Sequence, residues 1–141
     1  MKKIIGRLEK VSFPNFQLKD LDAKIDTGAY TSSIHCKKAK EVLVDGVPHL
    51  QFVLLDKRNG AYNGEVITIK EYSIKTVKSS NGIQQERFAI KTKMKIFQKT
   101  YTIELTLSNR KEMKFPILLG RKFLNKKFIV DTALSYTAKH A

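Results

Sequence analysis

The 141-residue chain contains one cysteine, three prolines and no long apolar run. Cys36 has no second cysteine to pair with, so no disulfide forms within the chain and the fold must rest on packing. No apolar stretch approaches the roughly 20 residues that a membrane-spanning helix needs. The start, Met1–Gly6, meets Arg7 before a secretory segment could form. We expect one domain over residues 1–141, no membrane segment and a cytoplasmic location.

Metal ligands are equally scarce. The soft candidates are His35, Cys36, His49 and His140, which form neither a His-x-x-x-His pair nor a paired-cysteine spacing. His35 and Cys36 are adjacent, and adjacent side chains on a strand point to opposite faces. We therefore expect both to serve packing, and we expect no metal site and no cofactor.

Acidic residues are few as well. The chain has 13 Asp and Glu against 27 Lys and Arg, which gives a net charge of +14. Such a charge attracts acidic proteins or nucleic acid. The lysines alternate with apolar residues, however, as in "IKTKMKIF" at Ile90–Phe97. This pattern favours the solvated face of a sheet over a nucleic-acid site.

Alternation of apolar and polar residues recurs throughout the chain and predicts β-strands. It covers Glu41–Leu55, Glu65–Val77, Arg87–Ile96 and Thr100–Leu107, with turn signals at Asp45-Gly46, Arg58-Asn59-Gly60, Asn63-Gly64 and Asn81-Gly82. Only Gly120–Phe128 has the spacing of a short helix, and a strand signal, "FIVD", follows it at once. Many short strands and one small helix predict a closed or nearly closed β-barrel.

One acidic residue stands in an unusual place, within "KIDTGAYTSS" at Lys24–Ser33. The preceding "LDAKI" predicts a strand that carries Asp26 to its end, and later residues such as Ser32 and Ser33 are small enough for a cramped loop. A carboxylate in this position either caps a turn or does chemistry. An Asp-Thr-Gly triplet alone is weak evidence, so its weight comes from "FPILLGRKFL" at Phe115–Leu124, an apolar run closed by glycine.

Together these segments resemble the retropepsin-like aspartic proteases, and within them the bacterial group labelled ATP-dependent zinc proteases. The resemblance spans nearly the whole chain and rests on "GRLEKVSFP", "AKIDTGAYTSSIHC", "VKSSNGIQQERF", "LSNRKEMKFPILLGRKFL" and "FIVD". It implies an all-β, retropepsin-like acid-protease barrel with one short helix near the C-terminus. The zinc label has no visible ligand set in the sequence, so a metal peptidase is the weakest interpretation.

The resemblance also implies a catalytic role for Asp26, Thr27 and Gly28. Peptide hydrolysis by aspartates needs two carboxylates about 3 Å apart that share one proton. The chain has a single Asp-Thr-Gly, so Asp26 would pair with Asp26 of a second copy across a twofold axis. Thr27 would hydrogen-bond across that axis, and Gly28 would let the backbone approach the carboxylate and the substrate. The alternative is an aspartate that only caps a turn.

Substrate contacts would come from Ala29 and from a flap hairpin at Ser79, Ser80, Asn81 and Gly82. These four residues lie between two alternating segments, where the family's flap would close over an extended peptide. An ordinary surface turn explains the same residues equally well.

Structural support would come from Gly120, where two backbones cross, and from Arg121. In retroviral relatives this arginine pairs with an aspartate shortly after the Asp-Thr-Gly, but Tyr30 occupies that place here. Asp131 is a candidate partner, and the alternative is a surface-exposed Arg121.

Two functions from different classes follow. The first is a homodimeric aspartic endopeptidase that hydrolyses extended protein segments. Relatives are often associated with ATP-grasp ligases that append glutamates, so an acidic or glutamylated substrate and a functional link to such a ligase would suit the positive charge. The second is a non-catalytic basic β-barrel that binds an acidic protein or nucleic acid.

Overall fold

The structure, a computed structural model, describes residues 2–78, 81–109 and 114–137. Within these residues it has eleven strands and one short helix. The strands are β1 (Lys3–Ile5), β2 (Leu8–Phe13), β3 (Leu18–Ile25), β4 (Ser32–Val44), β5 (Val47–Leu54), β6 (Ile67–Ile69), β7 (Ser73–Lys78), β8 (Gln84–Ile96), β9 (Lys99–Ser108), β10 (Ile117–Leu119) and β11 (Phe128–Val130), and the helix is α1 (Arg121–Leu124). The prediction of an all-β fold with one short helix is confirmed. No helix of the described chain is long and apolar enough to cross a bilayer.

Six strands close into a ring. β10 pairs with β3 in parallel and with β4 in antiparallel orientation, and the remaining neighbours follow in the order β3, β2, β8, β9, β4. β5 and β6 extend outward from β4, and β7 forms a hairpin with β8. A separate parallel pair joins β1 to β11. The ring places the end of β3 beside β10, which is where the Asp-Thr-Gly loop begins.

Apolar residues and lysines alternate along β8, so the same strand contributes to the core on one face and to the basic surface on the other. Along β8, Met94 and Ile96 are 0% and 2% exposed, whereas Lys93 and Lys95 face solvent. Successive side chains of a strand point to opposite faces, so apolar residues and lysines separate cleanly. The prediction that these lysines lie on a solvated sheet face is confirmed for β8.

An aromatic cluster packs beneath α1. Phe123 lies with its ring centroid 5.5 Å from that of Tyr101 and 5.8 Å from that of Phe128. Phe97 adds a further ring, 5.8 Å from Phe128. Burial of one such side chain contributes roughly 1.5–3 kcal/mol. The helix is therefore held by packing, because a single turn is not stable by itself.

Two tight hairpins use left-handed backbone conformations. Asp45 and Gly46 join β4 to β5 with φ of 52° and 79°, as their sequence predicts. Phe97 and Gln98 join β8 to β9 in the same manner, with φ of 54° and 61°. The sequence does not signal this second turn, because neither residue is a usual turn former.

Three element boundaries differ from the sequence-based predictions. The helix ends at Leu124 instead of reaching Phe128, because the backbone leaves the helical region at Asn125, where ψ is 136°, and Lys126 follows with a φ of 68°. Ser32 and Ser33 lie in β4 instead of a loop, since both pair with β9. The long alternating stretch before the predicted flap is divided between β6 and β7.

The N-terminal and C-terminal segments brace the end of β3. The Ile25 amide donates to the Arg7 carbonyl at 2.9 Å, and the Arg7 amide donates to the Leu134 carbonyl at 2.7 Å. Glu9 is fully buried, and its Oε2 accepts from the Gly6 amide at 2.9 Å. These contacts fix the strand residue that immediately precedes the Asp-Thr-Gly loop.

Candidate active site

Asp26 is the first residue after β3, where the chain leaves the barrel. Its amide donates to the Leu119 carbonyl of β10 at 2.9 Å, so the pairing of β3 with β10 continues one residue past the strand. Ile25 before it is buried, Asp26 itself is half-buried, and Thr27 after it is exposed. The carboxylate therefore stands at the boundary between core and solvent.

The loop orients one oxygen of this carboxylate. The Gly28 amide donates to Asp26 Oδ1 at 2.9 Å, and the Ala29 amide donates to the Asp26 carbonyl at 3.2 Å. A Cβ on Gly28 would lie 3.2 Å from the same Oδ1, closer than an ordinary contact, so glycine makes this approach easy. Within the described residues Oδ2 receives no hydrogen bond, which leaves it able to face a water molecule, a substrate or a second carboxylate.

Gly120 lets two backbones cross directly behind the loop. A Cβ at this position would lie 2.6 Å from the carbonyl oxygen of Thr31 and 2.7 Å from that of Tyr30. The Gly120 amide donates to Ser32 Oγ at 2.9 Å in a buried hydrogen bond. These distances require glycine, because any side chain would push the two segments apart.

Arg121 contacts the loop differently from the prediction. Its guanidinium donates to the Thr27 carbonyl at 2.9 Å and lies over the Tyr30 ring, 5.7 Å from the centroid. The prediction that Asp131 pairs with Arg121 is wrong. The Asp131 carboxylate accepts from the Ala133 amide at 2.9 Å, and no Arg121–Asp131 ion pair exists among the described residues. The tyrosine at the expected aspartate position thus still engages the arginine, through its ring.

The start of α1 is joined to the same loop by its backbone. The Arg121 amide donates to the Ala29 carbonyl at 2.8 Å, and the Lys122 amide donates to the Tyr30 carbonyl at 2.9 Å. The first amides of a helix have no acceptor within the helix itself, so the loop carbonyls satisfy them. Loop and helix therefore form one hydrogen-bonded unit around Asp26.

Glu104 of β9 connects this unit to the hairpin formed by β7 and β8. Its Oε1 accepts from Lys122 Nζ at 2.9 Å, and its Oε2 lies 3.9 Å from Lys75 Nζ on β7. Burial alone would raise the pKa of Glu104, but the Lys122 hydrogen bond and the neighbouring lysine charges outweigh burial and hold that pKa below its ordinary value. The base of the hairpin is thereby tied to the residue that follows Arg121.

The predicted flap is the connection between β7 and β8, which pair in antiparallel orientation. Gly82 has a φ of 83°, and Asn81 Oδ1 accepts from the Ile83 amide at 3.3 Å, the geometry of an Asx turn. Ser79 and Ser80, at the predicted tip, lie outside the described residues.

A hydrogen-bonded cluster joins β4 to the segment after β5. His35 is 6% exposed, and its Nε2 shares a hydrogen bond with Asp56 Oδ2 at 2.8 Å. Arg58 donates to both oxygens of Asp56, at 3.2 and 2.8 Å. The Arg58 hydrogen bonds, with a smaller contribution from His35, hold the pKa of Asp56 well below its ordinary value of 3.8. The cluster fastens the chain after β5 onto β4.

Cys36, the next residue on β4, is a buried thiol. Its Sγ donates to the Lys38 carbonyl at 3.0 Å, and burial raises the pKa of the thiol to about 11. Among the described residues, no three His, Cys, Asp or Glu side chains come together as a possible metal site.

Three residues that shape the site carry weak sequence signals. Ser32 matters only because β4 meets β10, which no local pattern reveals. His35 pairs with Asp56 across a separation of 21 residues. The burial of Glu9 is predictable from the sequence, because the alternation in β2 places this acidic residue on the same face as the buried Val11.

The profile of one protein family matches residues 4–141, and the family is described as the RimB-like, retropepsin-like aspartic endopeptidase RimB. The chain belongs to the RimB-like family. The suspected resemblance to retropepsin-like proteases is therefore confirmed, and with it the assignment of the barrel to the retropepsin-like fold. The matched family is one of retropepsin-like aspartic endopeptidases.

Curated relatives of the chain carry a different name. The chain is 37% identical over 137 residues to a Desulfotalea psychrophila protein and 33% identical over 135 residues to a Shewanella pealeana protein. Each of these relatives is named "Probable alpha-L-glutamate ligase". These matches cover 94% and 96% of the chain but only 29% and 30% of the relatives. The chain thus spans less than a third of the relatives' length.

A solved structure has the same fold. A crystal structure of a Legionella pneumophila protein of unknown function is 31% identical to the chain, with a TM-score of 0.74. The match covers 98% of this chain and 99% of the Legionella chain. The two proteins therefore share one fold over nearly the whole of both chains.

Proposed function

We propose that this chain is an aspartic endopeptidase that acts as a homodimer, with Asp26 of two copies forming one catalytic site. The observation that carries the proposal is the setting of Asp26. It is half-buried at a strand end, its Oδ1 is oriented by the Gly28 amide at 2.9 Å, and the loop around it is braced by Gly120 and Arg121. The Gly28 contact is an Asx turn, which a turn-capping aspartate also forms, but such an aspartate needs no bracing by Gly120 and Arg121.

The chemistry requires one protonated and one ionised carboxyl group. The ionised Asp26 takes a proton from water while the water oxygen attacks the peptide carbonyl carbon, and the protonated Asp26 gives its proton to the carbonyl oxygen. When the tetrahedral intermediate collapses, the C–N bond breaks and the amine takes a proton from the protonated carboxyl group. The ionised carboxylate takes the proton of one hydroxyl group of the intermediate, which leaves the carboxyl product and restores the pair. Two like charges so close cannot both ionise cheaply, so the two groups titrate as a unit.

The second carboxylate comes from a second copy, because the neighbouring acids of the same chain are engaged elsewhere. Asp22 pairs with Lys10 at 2.8 Å and accepts from the Tyr136 hydroxyl at 3.0 Å. Glu9 is buried against the terminal segment, and Asp131 caps its own turn. A twofold arrangement brings two identical loops together, with Thr27 hydrogen-bonding across the axis.

Exposed apolar residues lie both in the Asp26 loop and on the β1–β11 pair. Tyr30 is 54% exposed, and Ile4 and Ile129, register partners in the β1–β11 pair, are 52% and 55% exposed. β1 continues into Arg7, whose carbonyl accepts from the residue before Asp26. Burial of Ile4 and Ile129 against a second copy would remove these apolar side chains from water, which supports the proposed dimer.

The flap is proposed to cover the peptide, with Ala29, Asn81, Gly82, Ser79 and Ser80 among the contacting residues. The Lys75–Glu104–Lys122 connection supports this assignment, because it places the base of the hairpin beside the unit that holds Asp26. Closure of a lid excludes water other than the reacting molecule and holds an extended substrate in place.

The substrate class is proposed to be acidic or glutamylated protein. The net charge of +14 favours acidic segments. The relatives named as glutamate ligases contain a segment similar to this chain, which supports a functional link between the two activities. The competing proposal, a basic β-barrel that binds acidic protein without cleaving it, predicts binding without hydrolysis.

The test is hydrolysis of a diverse peptide library from acidic to neutral pH. Asp26→Asn should abolish cleavage, because the amide is nearly isosteric but cannot exchange a proton. Asp45→Asn is the matched control, since it makes the same change in an exposed turn that accepts asparagine. Unchanged cleavage by Asp26→Asn, or loss of native cleavage on adding EDTA with recovery on adding zinc, would overturn the aspartic mechanism. Absence of cleavage by the native protein at every pH would favour the binding module.

A further inference from the structure

A groove of about 890 Å³ opens between the start of β3 and the β8–β9 turn. It lies where β3 begins, at Leu18, whereas Asp26 follows the other end of the same strand. Eight strand residues at about 3.3 Å each separate the two regions by up to about 25 Å. The groove is therefore distinct from the candidate active site.

Unusual backbone conformations concentrate around this groove. Eight non-glycine residues of the described chain have a left-handed φ, and four of them line it: Gln17, Asp20, Phe97 and Gln98. A left-handed conformation costs an L-residue roughly 1–2 kcal/mol. Residues held in such conformations tend to cluster at functional sites.

The β8–β9 turn places two non-glycine residues in the left-handed conformation. The same two-residue turn between β4 and β5 uses Asp45 and Gly46, residues that accept the left-handed conformation at low cost. At the β8–β9 turn, Phe97 has a packing role against Phe128, but Gln98 is exposed and its side chain has no hydrogen bond among the described residues. An amide side chain is thus present where glycine would be less strained.

Gln17, another residue that lines the groove, repeats this situation. It follows a 3-10 turn at Pro14–Phe16 with φ of 56°, it is exposed, and its side chain has no partner among the described residues. Two primary amides, each able to donate and to accept, therefore face the same groove. This pair of groups matches the main chain of an extended peptide, which offers the complementary acceptor and donor.

The charges of the groove select an acidic ligand. Lys19 and Lys95 line it, both are exposed, and within the described chain neither forms an ion pair. Lys10 also lines it but is paired with Asp22 at 2.8 Å, and Asp20 contributes one carboxylate to the wall. Three lysines and one aspartate give the lining a net positive charge, and Pro14, Leu18 and Ile96 are among its apolar residues.

We propose that this groove binds an extended, acidic peptide segment, with Gln17 and Gln98 contacting its main chain and Lys19 and Lys95 contacting its carboxylates. Nucleic acid is the less suitable ligand, because single strands bind through aromatic stacking. The one aromatic lining residue, Phe97, packs against Phe128 and carries Lys3 Nζ 4.6 Å from its ring centroid. The site does not depend on the proposed hydrolysis.

The test measures binding by the full chain carrying Asp26→Asn, so that no cleavage interferes. The probe is a fluorescein-labelled peptide of alternating glutamate and valine, about eight residues long to match roughly 25 Å. We expect Lys19→Glu with Lys95→Glu to weaken binding at least about tenfold, and Lys40→Glu with Lys70→Glu, an equal charge change on exposed lysines outside the groove, to change it by less than about twofold. Equal losses in both double variants, or no binding by the parent protein, would overturn the proposal.

The amides provide a second and independent readout. Gln17→Gly and Gln98→Gly should each weaken binding of the peptide. They should leave Tm unchanged or raise it, because glycine is less strained at a positive φ. A purely structural role would give no loss of binding. Unchanged affinity in both glycine variants, or tighter binding of a single-stranded oligonucleotide of similar length than of the peptide, would contradict the assignment to peptide.

Discussion

The Gly120 amide and the Ser32 hydroxyl form a buried hydrogen bond of 2.9 Å directly behind the loop that carries Asp26. The same glycine approaches the Tyr30 and Thr31 carbonyl oxygens so closely that a Cβ would lie within 2.7 Å of both. Two segments far apart in the chain are thus locked together at the point where the carboxylate leaves the barrel. The geometry of the proposed site depends on this crossing.

Gly120→Ala should therefore destabilise the protein and displace the loop. The added methyl group meets backbone atoms that cannot rotate away, so we expect a loss of about 1–3 kcal/mol or more in the free energy of unfolding. Urea denaturation of the variant measures it. Gly60→Ala is the control, since a Cβ there meets nothing within 4 Å. Equal stability of the two variants would show that the crossing is not tight.

Ile129→Lys should weaken the proposed dimer. Ile129 is 55% exposed opposite Ile4, so a lysine is tolerated by the folded chain but would place a charge in an apolar interface. We expect sedimentation at tens of micromolar to shift toward monomer, with loss of hydrolysis. Val66→Lys, at a residue 57% exposed elsewhere, should have no such effect. A monomeric native protein under these conditions would count against the dimer.

Much of this architecture can be predicted from the sequence, because strand alternation and turn dipeptides act locally. β8 and the Asp45-Gly46 turn follow directly from these rules. The Phe97-Gln98 turn does not, because tertiary contacts override its poor turn propensity. The partner of Arg121 was also beyond prediction, since Tyr30 replaces an ion pair with a ring contact that depends on three-dimensional placement.

Asp56→Asn should reduce stability at neutral pH and matter less in acid. The pKa of Asp56 is lowered in the folded state, so its ionisation stabilises the fold above the ordinary value of 3.8, and this contribution is lost as the pH falls below that value. The difference in Tm between native protein and variant should therefore stay constant from pH 7 to about pH 4 and narrow from about pH 4 toward pH 2. A difference that stays constant down to about pH 2 would show that the Arg58 and His35 contacts do not favour the ionised form.

Cys36 should react very slowly with thiol reagents in the folded protein. Burial raises its pKa to about 11, so little thiolate exists at pH 8. Reaction with a maleimide should accelerate strongly on adding denaturant. The raised pKa also predicts stability that is present below pH 9 and declines as the pH rises toward 11, an effect that Cys36→Ala should remove. Rapid labelling without denaturant would contradict the buried thiol.

The central claim is that two Asp26 carboxylates from two chains form one catalytic site, and subunit mixing tests it most directly. Native and Asp26→Asn chains are unfolded together in equal amounts, refolded, and assayed for peptide hydrolysis against the native protein at the same total concentration. If both carboxylates are needed, only dimers of two native chains are active, and about one quarter of the activity should remain. Retention of about one half would mean that each chain works alone, and would contradict the shared site.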